Sequence, residues 1–146
     1  YAERDEPKEA MAHLERALEV AQRTNFLNGS GYVLLHIGQR NMENRDYDKA
    51  KDYLKRALDT FHRAGDLSGA AYTKINLGMV QIGKNDPKGA LKEINEGLRL
   101  LREPGAWFYV GSILVFLGRT HIGIGDAEKG EEYLEMAKKM HDEIKY

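Results

Sequence analysis

The sequence contains no cysteine, which excludes a disulfide framework and any chemistry that requires a thiolate. That absence fits a reducing compartment, so we expect a cytoplasmic location. No apolar run approaches the roughly 18 residues of a membrane span, and no signal-peptide pattern opens the chain. A membrane partner is therefore not expected. Because the chain begins at Tyr1 rather than methionine, we expect it to be part of a larger protein.

The sequence also lacks an excess of charge of either sign. Its 22 lysine and arginine residues nearly balance its 23 aspartate and glutamate residues, which leaves a formal charge of −1. Long-range attraction to nucleic acid is therefore not expected. The apolar fraction of 42% and the charged fraction of 31% are typical of a globular protein. A chain of 146 residues can form one domain with a substantial core.

Patterns of catalytic or metal-binding residues are missing as well. The five histidines show no H-E-x-x-H spacing and no other metal-ligand pattern. The segment Gly-Ile-Gly-Asp at residues 123–126 lacks the lysine and the preceding strand of a phosphate-binding loop. We therefore expect no enzyme activity, no bound metal and no cofactor.

What the chain does contain is a forty-residue repeat, which continues without insertion or deletion. Gly38, Gly78 and Gly118 are forty residues apart, and each follows an aliphatic residue. One register held through so many positions is not a chance similarity. The same interval links three more columns of small or apolar residues: Ala10, Ala50, Ala90 and Gly130; Leu14, Leu54, Ile94 and Leu134; and Ala17, Ala57, Gly97 and Ala137.

Each repeat predicts two helices. The second helix of the first full repeat has apolar residues at three- and four-residue spacing, which forms one stripe along a helix. Asp46, Asp86 and Asp126 precede these second helices and are expected to cap them. Pro7 marks the expected start of the corresponding helix near the N-terminus. The apolar stripe comprises Ala50, Tyr53, Leu54, Ala57, Leu58 and Phe61.

The first helix of each pair is expected over Ser30–Asn44, Ser68–Lys84 and Ala106–Gly123. Short linkers, as at residues 45–46, 65–66 and 103–105, force neighbouring helices to lie antiparallel. Glycine inside a helix costs about 1 kcal/mol relative to alanine. We therefore expect Gly38 and Gly78 to lie where two helix backbones approach closely.

These residues resemble the tetratricopeptide repeat, with Ile37-Gly38 in a first helix and Ala50, Leu54 and Ala57 in a second. The period of forty exceeds the usual 34, and the closing proline of the family is absent, so the second helix can continue for another turn. The resemblance implies an all-α superhelix of about seven antiparallel helices in a single domain over residues 1–146. Its parts would be a half-unit at 1–27 and full units at 28–67, 68–107 and 108–146.

The resemblance also implies that the first helices line a concave groove that binds a peptide or a helix of a partner protein. The corresponding positions share one face of each first helix and are mostly apolar, as interaction surfaces commonly are. The alternative is that these side chains only pack neighbouring first helices together. The candidate partner-binding residues are Tyr32, Leu35, Gln39, Tyr72, Ile75, Asn76, Met79, Ile82, Val115 and Arg119.

The N-terminal half-unit is a second helix without its first helix. Ala10, Leu14 and Ala17 would then lack the neighbour that covers the equivalent residues elsewhere. Either further repeats precede this helix, or the chain self-associates through it. The alternative to a partner-binding groove is accordingly a regulatory or oligomerisation domain of a larger signalling or transcription-regulating protein.

Overall fold

The computed structural model describes residues 2–101, 104–123 and 125–144, and within these all side chains except those of 2–7, 87, 104–107, 109, 113, 116, 120, 143 and 144. The described residues form seven α-helices and contain no β-strand, which confirms the all-α prediction. The helices are α1 (Ala2–Arg23), α2 (Leu27–Glu43), α3 (Tyr47–Ala64), α4 (Leu67–Gly83), α5 (Pro87–Leu101), α6 (Pro104–Gly123) and α7 (Ala127–Ile144).

The chain divides into two compact units, residues 1–100 and 101–146. In the first unit, α1 packs against α2, α2 against α3, and α3 against α4, while α2 also touches α4. In the second unit, α6 packs against α7. Each unit is therefore built from helices that contact their neighbours in sequence, as repeat proteins are. The single domain over residues 1–146 stays a prediction.

Five of the turns between helices have the same geometry. In each turn one residue adopts the left-handed backbone conformation, and these residues are separated by twenty positions or by a multiple of twenty. Arg45 illustrates the hydrogen bonding: its amide donates to the carbonyl of Met42 (3.0 Å), and the next amide, of Asp46, donates to Asn41 (2.8 Å). This pair of bonds is the Schellman motif. The left-handed residues are Asn25, Arg45, Gly65, Asn85 and Gly125, with φ from 56° to 93°.

The residue that completes four of these turns also caps the next helix. The carboxylates of Asp46, Asp66, Asp86 and Asp126 each accept a hydrogen bond from the backbone amide three residues later, at 2.9 to 3.4 Å. Such a cap satisfies an amide that has no partner within the helix. The caps at Asp46, Asp86 and Asp126 confirm the prediction. The cap at Asp66, which begins α4, was not predicted.

The starts of the first helices were predicted approximately, and the structure places each of them one to three residues earlier. The first helices begin at Leu27, Leu67 and Pro104 rather than at Ser30, Ser68 and Ala106. The serines lie inside α2 and α4, because the turns before them consist of only a few residues. Of the predicted linker at 103–105, residues 104–105 are helical, since α6 begins at Pro104, where the fixed φ of proline suits a first helical position, and residue 103 lies outside the described residues.

The predicted start of α1 was wrong, since it begins at Ala2, five residues before Pro7. A proline near the start of a helix removes one backbone hydrogen bond without ending the helix.

The repeated glycines lie where the first helix of a pair crosses the second, as predicted. A Cβ added at Gly38 would lie 2.8 Å from Leu54 Cγ, and one added at Gly118 would lie 2.9 Å from the carbonyl oxygen of Gly130. These separations are shorter than van der Waals contact, so the crossing requires glycine. The facing residues are Leu54 and Ala50 for Gly38, Ile94 and Ala90 for Gly78, and Leu134 and Gly130 for Gly118.

Candidate functional site: the face shared by α2 and α4

Two side-chain hydrogen bonds connect α2 to α4 in the first unit. Near the start of both helices, Asn28 Nδ2 donates to Asp66 Oδ2 at 2.9 Å. About three turns further along α2, Gln39 Nε2 lies 3.4 Å from Asn76 Oδ1. The two bonds link the helices, and the predicted partner-binding residues of the first unit lie on these two helices.

Five of the predicted residues are open to solvent on this surface, which we call the α2/α4 face. Tyr32 and Tyr72 occupy the same repeat position and are 40% and 42% exposed. The remaining three are half-buried. The open part of the face is therefore aromatic and polar, with a single thioether. The residues of the α2/α4 face are Tyr32, Gln39, Tyr72, Asn76 and Met79.

Three aliphatic members of the predicted set are buried instead. Leu35, Ile75 and Ile82 are only 5% to 7% exposed. Leu35 belongs to the core shared with α3, and Ile75 packs beside Gly97 of α5. These side chains pack helices together and form the support beneath the face rather than its surface.

Phe61 of α3 fixes the position of Tyr32. The two rings meet edge to face with centroids 4.9 Å apart and an interplanar angle of 75°, a favourable geometry for aromatic pairs. Phe61 is fully buried and lies over Gly31 and Gly69, where no larger residue would fit. Burial raises the pKa of the Tyr32 hydroxyl, and the charge of Asp66 and a hydrogen bond to it raise this pKa further. Tyr32 therefore presents a neutral, oriented phenol.

The polar centre of the face is the amide pair of Gln39 and Asn76. Asn76 Nδ2 donates to the backbone carbonyl of Tyr72 at 2.8 Å, so its side-chain carbonyl points towards Gln39. A carboxamide can both donate and accept two hydrogen bonds. Gln39 thus retains an acceptor and one donor hydrogen, which is what an extended backbone in the groove would require.

In the second unit, Val115 and Arg119 lie on an exposed face of α6. Val115 is 39% exposed, and Phe108 and Ile122, which lie on the same side of the helix, are 60% and 43% exposed. Sequence reasoning did not include Phe108, although it occupies the column of Asn28 and Ser68. The structure therefore leaves the predicted residues of α6 open, whereas it buries Leu35 and Ile75 in the equivalent column.

A second concave surface lies outside the predicted set, along the outer side of α3. The cleft has a volume of about 510 Å³ and is lined by Lys49, Asp52, Tyr53 and Arg56. The guanidinium of Arg56 lies 5.4 Å from the centre of the Tyr53 ring, a favourable cation–π geometry. The charges in this cleft are mixed, so it favours no ligand of one sign.

Within the described part of the chain, no group of three histidine or acidic side chains is placed to hold a metal ion. In the same part, no helix has both the length and the apolar character needed to cross a lipid bilayer. The ion pairs Lys74–Glu96 (2.9 Å) and Lys84–Asp48 (2.7 Å) join neighbouring helices rather than form a site.

Comparison with known proteins places this architecture in a family. The family model described as "Anaphase-promoting complex subunit 5" matches residues 36–118, more than half of the chain. The chain belongs to this family. The matched region runs from within α2 to within α6 and includes most of the α2/α4 face, and the fold is a tetratricopeptide-like helical repeat. A comparison with curated protein sequences found no match.

Two solved structures share the fold. The apo form of RapI superimposes with a TM-score of 0.63 and 18% identity over 99% of this chain. BtubC from P. vanneervenii superimposes with a TM-score of 0.65 and 19% identity over 97% of this chain. The chain spans 65% and 59% of the length of those two proteins. At such identities the likeness concerns the fold alone.

Proposed function

We propose that this chain is a protein-interaction module whose α2/α4 face binds an extended segment or a helix of a partner protein. The observation that carries the proposal is the pair of half-exposed tyrosines on adjacent first helices, with an amide pair beside them. Tyrosine is enriched in the energetic centres of interfaces because it combines a large apolar ring with a hydroxyl. The matched family is named for a subunit of a complex, which also favours binding over catalysis.

The forty-residue spacing supports assignment to the long-period variety of tetratricopeptide repeat. Helices α3, α5 and α7 begin forty residues apart, and α3 and α7 continue past the place where the usual repeat closes with proline. The cysteine-free sequence supports a reducing, cytoplasmic location for the module.

The proposal is tested by a pull-down from cell extract with the wild-type chain and Met79→Asp, followed by mass spectrometry. Met79 is half-buried on the face, so a carboxylate there would oppose docking of an apolar or backbone-rich segment. We expect partners captured by the wild type to be lost with Met79→Asp. Leu100→Asp is the matched control, because Leu100 is an exposed leucine (43%) on α5. Equal capture by both variants would contradict binding at the α2/α4 face.

The second candidate is an oligomerisation or regulatory role that uses α1. Ala17 is exposed and Leu14 half-buried, whereas Ala57 and Leu54, their equivalents on α3, are fully buried. We propose that this face of α1 pairs with another copy. Light scattering over a range of concentrations would show a dimer mass that Leu14→Asp abolishes and Leu100→Asp leaves intact. A monomeric mass at every concentration would contradict this role.

A further inference from the structure

The α2/α4 face has a carboxylate at one end with no cationic partner. Asp66 accepts hydrogen bonds from the Gly69 amide (2.9 Å) and from Asn28 Nδ2 (2.9 Å), and the Tyr32 hydroxyl lies beside it. These donors are neutral. Among the described residues, no lysine, arginine or histidine lies within ion-pair distance of Asp66. The negative charge of this half-buried group is therefore balanced only by neutral donors and by the positive end of the α4 dipole, next to the tyrosine pair.

The helices that carry the face supply no other charge near Asp66. The only charged side chain of α4 is Lys74, and it is already paired with Glu96. On α2 the arginine is Arg40, eight residues from Tyr32 and thus about 12 Å further along the helix axis, and the exposed imidazole of His36 lies four residues from Tyr32. Among the described side chains of α2, α4 and their N-caps, Asp66 is therefore the one formal charge at the start of the face.

The two tyrosines complete a site suited to a cation. Tyr32 and Tyr72 come from adjacent helices, and the Asn28–Asp66 bond and the Gln39–Asn76 bond hold those helices on either side of them. The electron-rich face of a tyrosine ring attracts a lysine or arginine head group. A guanidinium can also stack on a ring while donating to a carboxylate. Phe61 fixes the Tyr32 ring, so little side-chain freedom is lost when a ligand binds there.

We propose that Tyr32, Tyr72 and Asp66 form a subsite for an arginine or lysine side chain of the bound partner segment. This inference rests on the proposed function and specifies the chemistry of the partner. It also sets a spacing. Met79 lies seven residues beyond Tyr72, about 10 Å along α4, a distance that an extended chain covers in about three residues. The partner segment accordingly carries its basic residue about three positions from an apolar residue.

The test uses random twelve-residue peptides displayed on phage and selected against the full chain. Synthetic copies of enriched peptides are then titrated by fluorescence anisotropy against wild type, Met79→Asp, Asp66→Asn and Asp46→Asn. Asparagine is as good a helix cap as aspartate, so Asp66→Asn keeps the α4 cap and removes the charge. The introduced amide nitrogen cannot accept from Asn28 Nδ2, so Asn28 must present its carbonyl oxygen there to keep the bond between the helices. Asp46→Asn makes the same change at the cap of α3 and is the matched control.

We expect the enriched peptides to share a basic residue about three positions from an apolar one. Asp66→Asn should weaken binding roughly threefold to tenfold, as expected for one charge-assisted contact, and Asp46→Asn should leave it unchanged. Replacing the basic residue of the peptide with alanine should weaken binding to the wild type by a similar factor. The same replacement in the peptide should have little further effect on its binding to Asp66→Asn, because that variant already lacks the carboxylate that the basic residue would contact.

The outcomes separate the two proposals. Peptides that lose binding with Met79→Asp but show no basic preference and tolerate Asp66→Asn would overturn the subsite and leave the α2/α4 face as a binding surface. Peptides indifferent to Met79→Asp, or failure to recover any binding peptide, would count against the face itself and therefore against the subsite.

Discussion

Helices α1 and α3 carry the same residues at equivalent positions but have different surroundings. Ala50, Leu54 and Ala57 of α3 are fully buried, because α3 lies between α2 and α4. Their counterparts on α1 are half-buried or exposed, and the described contacts of α1 are with α2. The repeat therefore encodes a helix that can be covered on two sides, and neighbouring helices decide how much of it is covered.

The first helices of the repeats also differ in how far other residues cover equivalent positions. Leu35 and Ile75, on α2 and α4, are almost completely buried, whereas Val115 in the same column of α6 is 39% exposed. A column of apolar residues thus identifies a potential interface, but it does not say which of its members are already occupied. Three substitution experiments test how neighbouring helices cover and join one another.

The largest effect is expected from Leu54→Ala compared with Leu14→Ala. Leu54 is fully buried, so its truncation should leave a cavity and lower the free energy of unfolding by about 2–5 kcal/mol. Leu14 is half-buried, and the same change should cost less than about 1.5 kcal/mol. Urea unfolding of both variants measures the difference. Equal losses of unfolding free energy in the two variants would mean that neighbouring helices cover α1 as fully as α3.

Within α6, two glycine-to-alanine substitutions are expected to change the stability by smaller amounts and in opposite directions. Alanine at Gly118 would place its Cβ 2.9 Å from the backbone of α7, so Gly118→Ala should destabilise the protein by about 1–3 kcal/mol. Among the described residues, no atom lies within 4 Å of the position that a Cβ at Gly111 would take. Gly111→Ala should therefore stabilise the protein by up to about 1 kcal/mol through its better helix propensity. If the unfolding temperature moved in the same direction for both variants, the close approach of α6 and α7 at Gly118 would be contradicted.

The smallest effect concerns pH and the ion pair between α4 and α5. The hydrogen bond from Lys74 lowers the pKa of Glu96, so this pair stabilises the fold above the unfolded pKa of about 4.3. That contribution should be lost as the pH falls through the lower folded pKa. Because both groups are partly exposed, solvent screening keeps the effect small. Unfolding midpoints at pH 5 and pH 3 should differ less for Glu96→Gln than for the wild type, and an equal difference would exclude the pair as a contributor.

Much of the fold followed from local sequence signals. The glycine column predicted the helix crossings because only a missing side chain permits such close approach, and the aspartates predicted helix starts because their carboxylates satisfy free amides. The cap at Asp66 was not predicted because the repeat was defined by an interval of forty residues. Asp46, Asp66 and Asp86 follow a shorter interval of twenty. The shorter interval is the length of one helix with its turn.

The candidate face was predicted less completely. Helical periodicity grouped Leu35 and Ile75 with Tyr32 and Tyr72, since all four point to related sides of their helices. It could not separate buried members from open ones, because burial depends on residues of other helices. Nor did the sequence show that Arg45 would adopt a left-handed backbone, a conformation that glycine and asparagine adopt more readily.

The uniform turns have a consequence for how such a chain can change in length. The segment from residue 27 to residue 66 begins just after one Schellman turn and ends on the capping residue of another. Copying or excising this segment would insert or remove one hairpin while every remaining connection kept its backbone geometry. The chain can therefore gain or lose whole hairpins, because the turns that connect the remaining helices keep the same backbone geometry.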